Sequence, residues 1–416
     1  GQIIMANVSS SNGLEKRPRL AFRNTDGSHF PCWRQTSLGC IIEPYSEKVY
    51  GEHDYEVLTS AREGLQRQED HFGSKQRHDT DGYNIIPFGY CTYRNRSDDG
   101  KFAFNINTIS EKAIVSKFYP VFRFTNANST FMAEFLNSSP RVKKKLSVLA
   151  VGTSQVVLSF EALKAAKFDL PCKDEQDKIA AFLECLNTRI ENQRTLVVAL
   201  KKYKRGVFEA VFSQKLRLVP MELQKPWKQY KLSDFATRVT RKNGNQTDIP
   251  LTISAQYGLI DQRDFFSKMV ASTDMSGYYL LQKGEYAYNR STSNEYPFGS
   301  IKRLELYPMG AVSTLYLCFA IKEEVVNSDL AKWYFESAQW YKGINNICAE
   351  GARNHGLLNV PTDGFFNTVH TLPSDPNEQL AVVDYLSNIQ KKYEAAQRCL
   401  QAIENLRSGL LQQLFI

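Results

Sequence analysis

The side chains in this chain best suited to recognition are guanidinium, ammonium and carboxamide groups set in short polar loops. Two such loops follow aromatic residues, Tyr93-Arg94-Asn95-Arg96-Ser97 and Tyr286-Ala287-Tyr288-Asn289-Arg290-Ser291. Arginine offers a planar fork of donors and asparagine a paired donor and acceptor, which suits hydrogen bonding to base edges, while lysines neutralise phosphate. On that chemistry the candidates in the first half are Arg62, Arg67, Lys75, Arg77, Arg94, Asn95 and Arg96, with Lys143, Lys144 and Lys145 as phosphate contacts. In the second half they are Lys242, Arg263, Asn289, Arg290, Lys302, Arg303, Arg353 and Asn354. A lone surface arginine more often only solubilises, so the weight falls on groups in loops that recur between the two halves.

Covalent chemistry has no comparable support. No two prolines are adjacent, which removes the Asn/Asp-Pro-Pro-aromatic signature of amino-methyltransferases. There is no G-x-x-x-x-G-K-[S/T] phosphate loop and no paired-carboxylate nuclease motif. His53, His71 and His78 show neither triad nor metal spacing, so no catalytic and no metal-binding residue is expected. The eight cysteines form no C-x-x-C pair, and reduced structural thiols in a cytoplasmic protein are the expectation. Tyr93 and Tyr288 are expected to be core residues with partnered hydroxyls rather than base-stacking platforms.

Lysine and arginine outnumber aspartate and glutamate by 52 to 44, a net charge of +8. That balance permits a polyanionic partner without demanding one. No apolar run of about eighteen residues exists, and residues 1–11 lack the layout of a signal peptide, so no membrane association is expected. At 416 residues the chain is too long for one ordinary core.

The elements that must position these loops emerge when the chain is compared with itself. Trp33 and Leu38 recur as Trp227 and Leu232. Ser60-Ala61, Gly64-Leu65, Gln68, Asp70 and Phe72 recur as Ser254-Ala255, Gly258-Leu259, Gln262, Asp264 and Phe266. Gly89 and Tyr93 match Gly284 and Tyr288, and Val115-Ser116 with Tyr119 match Val312-Ser313 with Tyr316. The matches stay collinear, so two copies of one mixed α+β domain are expected, with a mainly antiparallel or mixed sheet. In this alignment residues 93–97 carry one residue more than 288–291, and the loop 351–356 is answered only by 152–155.

Each copy is followed by a repeated helix. Leu170-Pro171, Glu175-Gln176 and Leu183 reappear as Leu372-Pro373, Glu378-Gln379 and Leu386. From there Leu183, Leu186, Ile190, Gln193, Val197, Leu200, Lys204, Val207 and Val211 alternate three and four apart. Leu386, Ile389, Tyr393, Ala396, Leu400, Ile403, Arg407, Leu410 and Leu414 do the same. Matching seams of this kind predict two long helices packed as an antiparallel intramolecular coiled coil with pseudo-twofold symmetry. The expected division is a first globular domain over 1–168, a helix region over 169–217, a second globular domain over 218–370 and a helix region over 371–416.

Taken together, the Trp-led domains, the Leu-Pro-x-x-x-Glu-Gln lead into a helix and the helix ends Lys204-Arg205-Gly206-Val207-Phe208 and Ser408-Gly409-Leu410-Leu411-Gln412-Gln413-Leu414-Phe415 resemble the specificity subunit of type I restriction-modification systems. Ser254-Ala255-Gln256-Tyr257-Gly258-Leu259 and the 286–291 loop resemble the second target-recognition domain of that family. The resemblance implies a non-catalytic subunit that reads a split, asymmetric double-stranded DNA site, one half per domain. It further implies two methyltransferase (adenine-N6) partners and two motor-nuclease subunits, with DNA methylation and phage defence as the outcome. S-adenosylmethionine would belong to the methyltransferase, ATP and Mg to the motor-nuclease, and no cofactor to this chain. A protein-interaction scaffold, or a stand-alone DNA-modifying enzyme with an unrecognised motif, remain the alternative readings.

Overall fold

The computed structural model describes residues 4–5, 18–73, 79–254, 257–265, 274–293, 296–348 and 356–415. The chain forms two compact units, residues 1–194 with 399–416, and residues 195–398.

Leaving aside two-residue strands, the described residues of the first unit form β1 (Arg34–Ser37), β2 (Ile42–Tyr45), β3 (Glu56–Ala61), β4 (Gly64–Arg67), β5 (Asn84–Pro87), β6 (Cys91–Tyr93), β7 (Phe104–Ile106), β8 (Lys112–Val115), β9 (Val121–Phe124) and β10 (Lys167–Leu170). They pair as β7-β6-β9-β2, as β4-β3-β8-β5 and as β10-β1. All these pairings are antiparallel except β3 with β8, where Glu56 and Val57 run parallel to Ala113 and Ile114. Helix α1 (Ser129–Ser138) is capped by the Asn128 side chain, and α2 (Pro140–Leu149) begins with proline behind a Ser139 cap. Phe122, Phe131, Phe135 and Leu146 are fully buried between these helices and the sheet.

The second unit repeats the frame strand for strand: β11 (Lys228–Lys231), β12 (Ala236–Val239), β13 (Leu251–Ser254), β14 (Gly258–Asp261), β15 (Tyr279–Gln282), β16 (Tyr286–Asn289), β17 (Ser300–Arg303), β18 (Met309–Val312), β19 (Leu317–Ile321) and β20 (Val369–Leu372). Its main sheet has the order β17-β16-β19-β12, the counterpart of β7-β6-β9-β2, and β11 pairs with β20 as β1 does with β10. Register is kept as well: Thr92 faces Val121 in one copy and Ala287 faces Cys318 in the other. Gly89 and Gly284 hold positive φ angles of 79° and 92° and each amide donates at 2.8 Å across the turn, to Asn107 and Leu304, a conformation that a side chain would strain. The expected duplication of a mixed α+β domain is therefore present in the structure.

The long helices are α3 (Lys173–Phe212) and, beyond the second repeat, α5 (Pro376–Leu414). In the first unit Leu186 and Ile190 of α3 pack on Ile403 of α5, and the polar pairs Asn187–Arg407 and Arg194–Glu404 run in opposite chain directions, so the segments are antiparallel. Leu411, Leu414 and Phe415 continue into the domain core, where the Phe415 ring meets Phe131 and Phe135 edge-on at 5.9 and 5.5 Å. Burying such side chains contributes roughly 1.5–3 kcal/mol apiece, which anchors the helix end. In the second unit Val207, Phe208, Val211 and Phe212 share a core with Val382, Val383, Leu386 and Ile389, while Lys204 lies between the Phe208 and Tyr393 rings. Gln193, Val197 and Leu200, mid-seam, are half-buried rather than buried.

The repeated Glu-Gln motif has a structural purpose. The Gln176 amide donates to the Pro171 carbonyl at 3.0 Å, and its oxygen accepts from the Asn128 backbone amide at 2.9 Å. Gln379 makes the same two bonds, to Pro373 at 2.9 Å and from Asn327 at 2.8 Å. Asn128 and Asn327 cap α1 and α4 (Ser328–Phe335), so one glutamine in each repeat ties a domain helix to the start of a long helix.

Candidate nucleic-acid interface

The strands of the first domain bring several loops to one end of its sheets. Strand β6 ends at Tyr93 and delivers residues 94–97. Strand β8 ends at Val115 and delivers the turn 116–119. Because β3 runs parallel to β8, its hairpin tip at Arg62 and Glu63 projects to the same end. Tyr93 itself is fully buried, and its hydroxyl donates to the Leu158 carbonyl at 3.0 Å, as a core tyrosine should. Desolvation pushes its ionisation upward, so it stays a neutral donor.

Beyond Tyr93, Arg94 and Arg96 are exposed and Asn95 is half-buried. The Asn95 carbonyl accepts from Leu158 at 2.9 Å, and Arg96 bridges Val157, which fixes the loop backbone while leaving both guanidinium groups outside. Arg62 reaches the neighbouring loop and pairs with Asp99 at 2.7 Å. The Ser97 hydroxyl and the Lys101 amide, with Arg62 and Lys101 nearby, hold the Asp99 carboxyl down at about 2, so it is ionised throughout the physiological range. Helix α2 adjoins the same loop, since a Cβ on Gly100 would stand 2.7 Å from the Ser147 hydroxyl. Lys143 and Lys144 are exposed on that helix. A cavity of about 400 Å³ beside the 116–119 turn is walled by Leu58, Tyr83 and Tyr119 with one acid, Asp79, and one lysine, Lys117.

The second domain gathers the equivalent parts. Asn289 ends β16 and Arg290 follows it, the turn 313–316 follows β18, and Lys242 bridges to Tyr279 at the start of β15. Tyr288 is buried, with its hydroxyl on the Phe298 carbonyl at 2.9 Å. Arg290 donates to the Leu315 carbonyl at 2.8 Å, and its own carbonyl accepts from Leu358 at 3.0 Å. That last bond corresponds to Leu158 on Asn95. The structure therefore aligns Arg94 with Asn289 and Asn95 with Arg290, and the extra residue read between Tyr93 and Ser97 falls further along the chain.

Other candidates are drawn away from solvent or from this end. Lys302 is buried and its ammonium pairs with Glu336 at 2.5 Å. Arg303 is mostly covered and binds Asp329 at 2.6 Å and Glu305 at 2.8 Å. Both sit on β17 opposite Ala287 and Tyr286, and both leave the candidate set because a desolvated, paired cation would have to lose its partner to bind DNA. Lys145 donates to the Lys167 carbonyl at 2.5 Å and lies over Phe168. Arg67 pairs with Glu56 at 2.9 Å at the far end of its hairpin from Arg62. Arg263 binds Asp261 at 2.6 Å, a contact that also raises its ionisation. Lys242, in contrast, stays exposed beside the start of β15, where its ammonium donates to the Gly277 carbonyl at 2.9 Å above the Tyr279 ring. Lys75, Arg77, Arg353 and Asn354 lie outside the described residues.

Sequence reasoning passed over Phe118 and Leu315, which stand exposed at the two equivalent turns. The recurrence of Val-Ser-x-x-Tyr was the signal that could have found them. Among the described residues no group of three His, Cys, Asp or Glu side chains could hold a metal ion, and no helix is long and apolar enough to cross a membrane.

With this geometry in view, residues 44–200 match the family model for the type I restriction modification DNA specificity domain. No curated protein matches the chain. Among solved structures the chain is similar to the S subunit of a type I restriction-modification system from M. genitalium, at 14% identity and a TM-score of 0.55, covering 96% of this chain and 99% of that one. It is also similar to a chain from a structure described as the basis of complex assembly and conformational transition of the type I R-M system, at 14% identity and a TM-score of 0.53, covering 93% and 98%. At such identity these likenesses concern the fold.

Proposed function

We infer that this chain belongs to the type I restriction-modification DNA-specificity family, whose domain model it matches over residues 44–200, and that it reads a bipartite, asymmetric duplex site with one repeated domain per half. The observation that carries the reading is a shared frame with unlike readers. The same strand end presents Arg94 and Asn95 in one copy and Asn289 and Arg290 in the other, held by equivalent bonds to Leu158 and Leu358. Identical frames with different donor patterns recognise different base edges. Lys143 and Lys144 supply sequence-independent attraction to phosphate. Methylation and cleavage belong to partner subunits, two methyltransferases and two motor-nucleases, which carry S-adenosylmethionine and ATP with Mg respectively. The long helices, with Leu196, Val198 and Leu380 exposed on them, are where the methyltransferases would dock.

Methylome mapping of cells that express the chain with its methyltransferase tests this. Arg94→Ala should relax one half-site and Asn289→Ala the other, each by about 1–3 kcal/mol, whereas Lys144→Ala should weaken methylation of all sequences alike. Equal losses on cognate and unrelated sequence for all three variants would remove the assignment.

A further inference from the structure

The turns 116–119 and 313–316 are one structure built from different residues. In both, the tyrosine amide donates to the serine carbonyl, at 2.9 Å for Tyr119 and 3.0 Å for Tyr316. In both, the serine hydroxyl accepts from the amide of the third residue, at 3.4 Å for Phe118 and 3.3 Å for Leu315. The outer residues are half-buried and the inner two exposed, which leaves Phe118 51% and Leu315 57% accessible at the same place in each repeat. A single exposed apolar side chain is ordinary. The unusual feature is that the neighbouring recognition loop brings an arginine to each turn, to the ring of Phe118 in one copy and to the backbone of Leu315 in the other. The Arg96 guanidinium lies 5.2 Å from the Phe118 ring centroid, with the Lys117 ammonium at 5.7 Å. Arg290 donates to the Leu315 carbonyl at 2.8 Å.

We propose that Phe118 and Leu315 are specificity-determining residues, each packing on a thymine 5-methyl group in the major groove of its own half-site. This rests on the DNA-reading function inferred above and names contacts within it. The thymine methyl is the apolar feature that base edges offer in that groove. Phe118 is unsuited to wedging between base pairs, because insertion needs bare ring faces and two cations crowd this ring. Leucine at the equivalent tip has no ring to insert, yet both side chains can cover a methyl group. Arg96 on the Phe118 ring, and Arg290 through the one bond it gives the Leu315 carbonyl, tie each tip to its recognition loop.

The test uses the full chain co-purified with its methyltransferase and duplexes carrying the site found by methylome mapping. Each thymine of the half-sites is replaced in turn by deoxyuridine, which removes only the methyl group. The unmodified protein should lose about fourfold in methylation rate at one thymine of each half-site, the factor for one methyl group returned to water. Phe118→Ala should abolish that sensitivity in one half-site and Leu315→Ala in the other, while Phe118→Leu retains it. Sites without a methyl-sensitive thymine, or sensitivity unchanged in both alanine variants, would overturn the proposal while leaving sequence-specific methylation intact. Methylation without any sequence preference would instead remove the reading on which it rests.

Discussion

The two repeated domains share a frame so closely that their differences can be compared position by position. Asn105 on β7 and Lys302 on β17 occupy the same buried place. Asn105 satisfies it with bonds to the Ser60 hydroxyl and the Ala61 carbonyl, both at 2.8 Å, and Lys302 with an ion pair to Glu336. Phe168 on β10 corresponds to His370 on β20. Phe168 packs on Phe135 at 5.8 Å, whereas His370 is clamped between the Tyr334 hydroxyl at 3.0 Å and the Thr368 hydroxyl at 2.8 Å. The frame sets which positions are buried, and each copy then meets that burial with its own chemistry. A charged residue in one copy therefore need not face solvent, and its equivalent in the other copy is the better guide.

The largest contrast to break lies at Arg217, whose guanidinium holds the Glu378 carboxylate in two bonds, at 2.6 and 2.9 Å, while lying over Trp227. The Glu378 side chain is only 3% exposed. Arg217→Ala should cost the second unit about 3–5 kcal/mol, the penalty of stranding a buried charge. Urea unfolding followed by fluorescence in a Trp33→Phe background reads this unit alone, because Trp227, Trp333 and Trp340 all belong to it. A loss below about 1 kcal/mol, or an equal loss in hydrogen-exchange protection of β1 and β10, would mean that the pair is not what stabilises this unit.

The next contrast is one of pH. Burial lowers the His370 imidazole to about 4, below its ordinary 6.5. The unfolded chain therefore takes up the proton first, so this contribution is complete above about pH 6.5 and disappears as the pH falls toward 4. The window is worth about 3 kcal/mol. Phe168 brings no such dependence to the first unit. His370→Phe should flatten the acid sensitivity of the second unit, measured as the urea midpoint at pH 7 and pH 4.5. If the slope between those values survives the substitution, other groups are responsible.

The smallest effect sharpens the likeness instead. Tyr93→Phe and Tyr288→Phe each remove one buried hydrogen bond to a backbone carbonyl and should each cost about 1 kcal/mol. Urea unfolding of the two variants should give similar losses, and a difference above about 2 kcal/mol would mean that the hydroxyls are not equivalent.

The sequence alone was enough to establish the duplication, the two long helices and the burial of Tyr93 and Tyr288. Those features rest on local rules, since apolar periodicity, capping and turn glycines act within a few residues and leave their mark twice in the same order. Even the Glu-Gln motif was visible as a repeat, although its clamp on Asn128 and Asn327 spans about fifty residues of chain and had no local signature. Tertiary structure decided which polar letters face solvent. Lys302 and Arg303 looked as available as Arg94 and Arg96, and what separates them is Glu336 and Asp329, acids brought near by folding, which join Glu305 two residues along the chain. It also decided the alignment of the recognition loops, because hydrogen bonds from Leu158 and Leu358 define equivalence where spacing in the sequence misled. Composition likewise gave no reason to choose Phe118 and Leu315. An exposed apolar residue becomes informative only when the fold sets two of them at the same turn, each beside an arginine from the neighbouring loop.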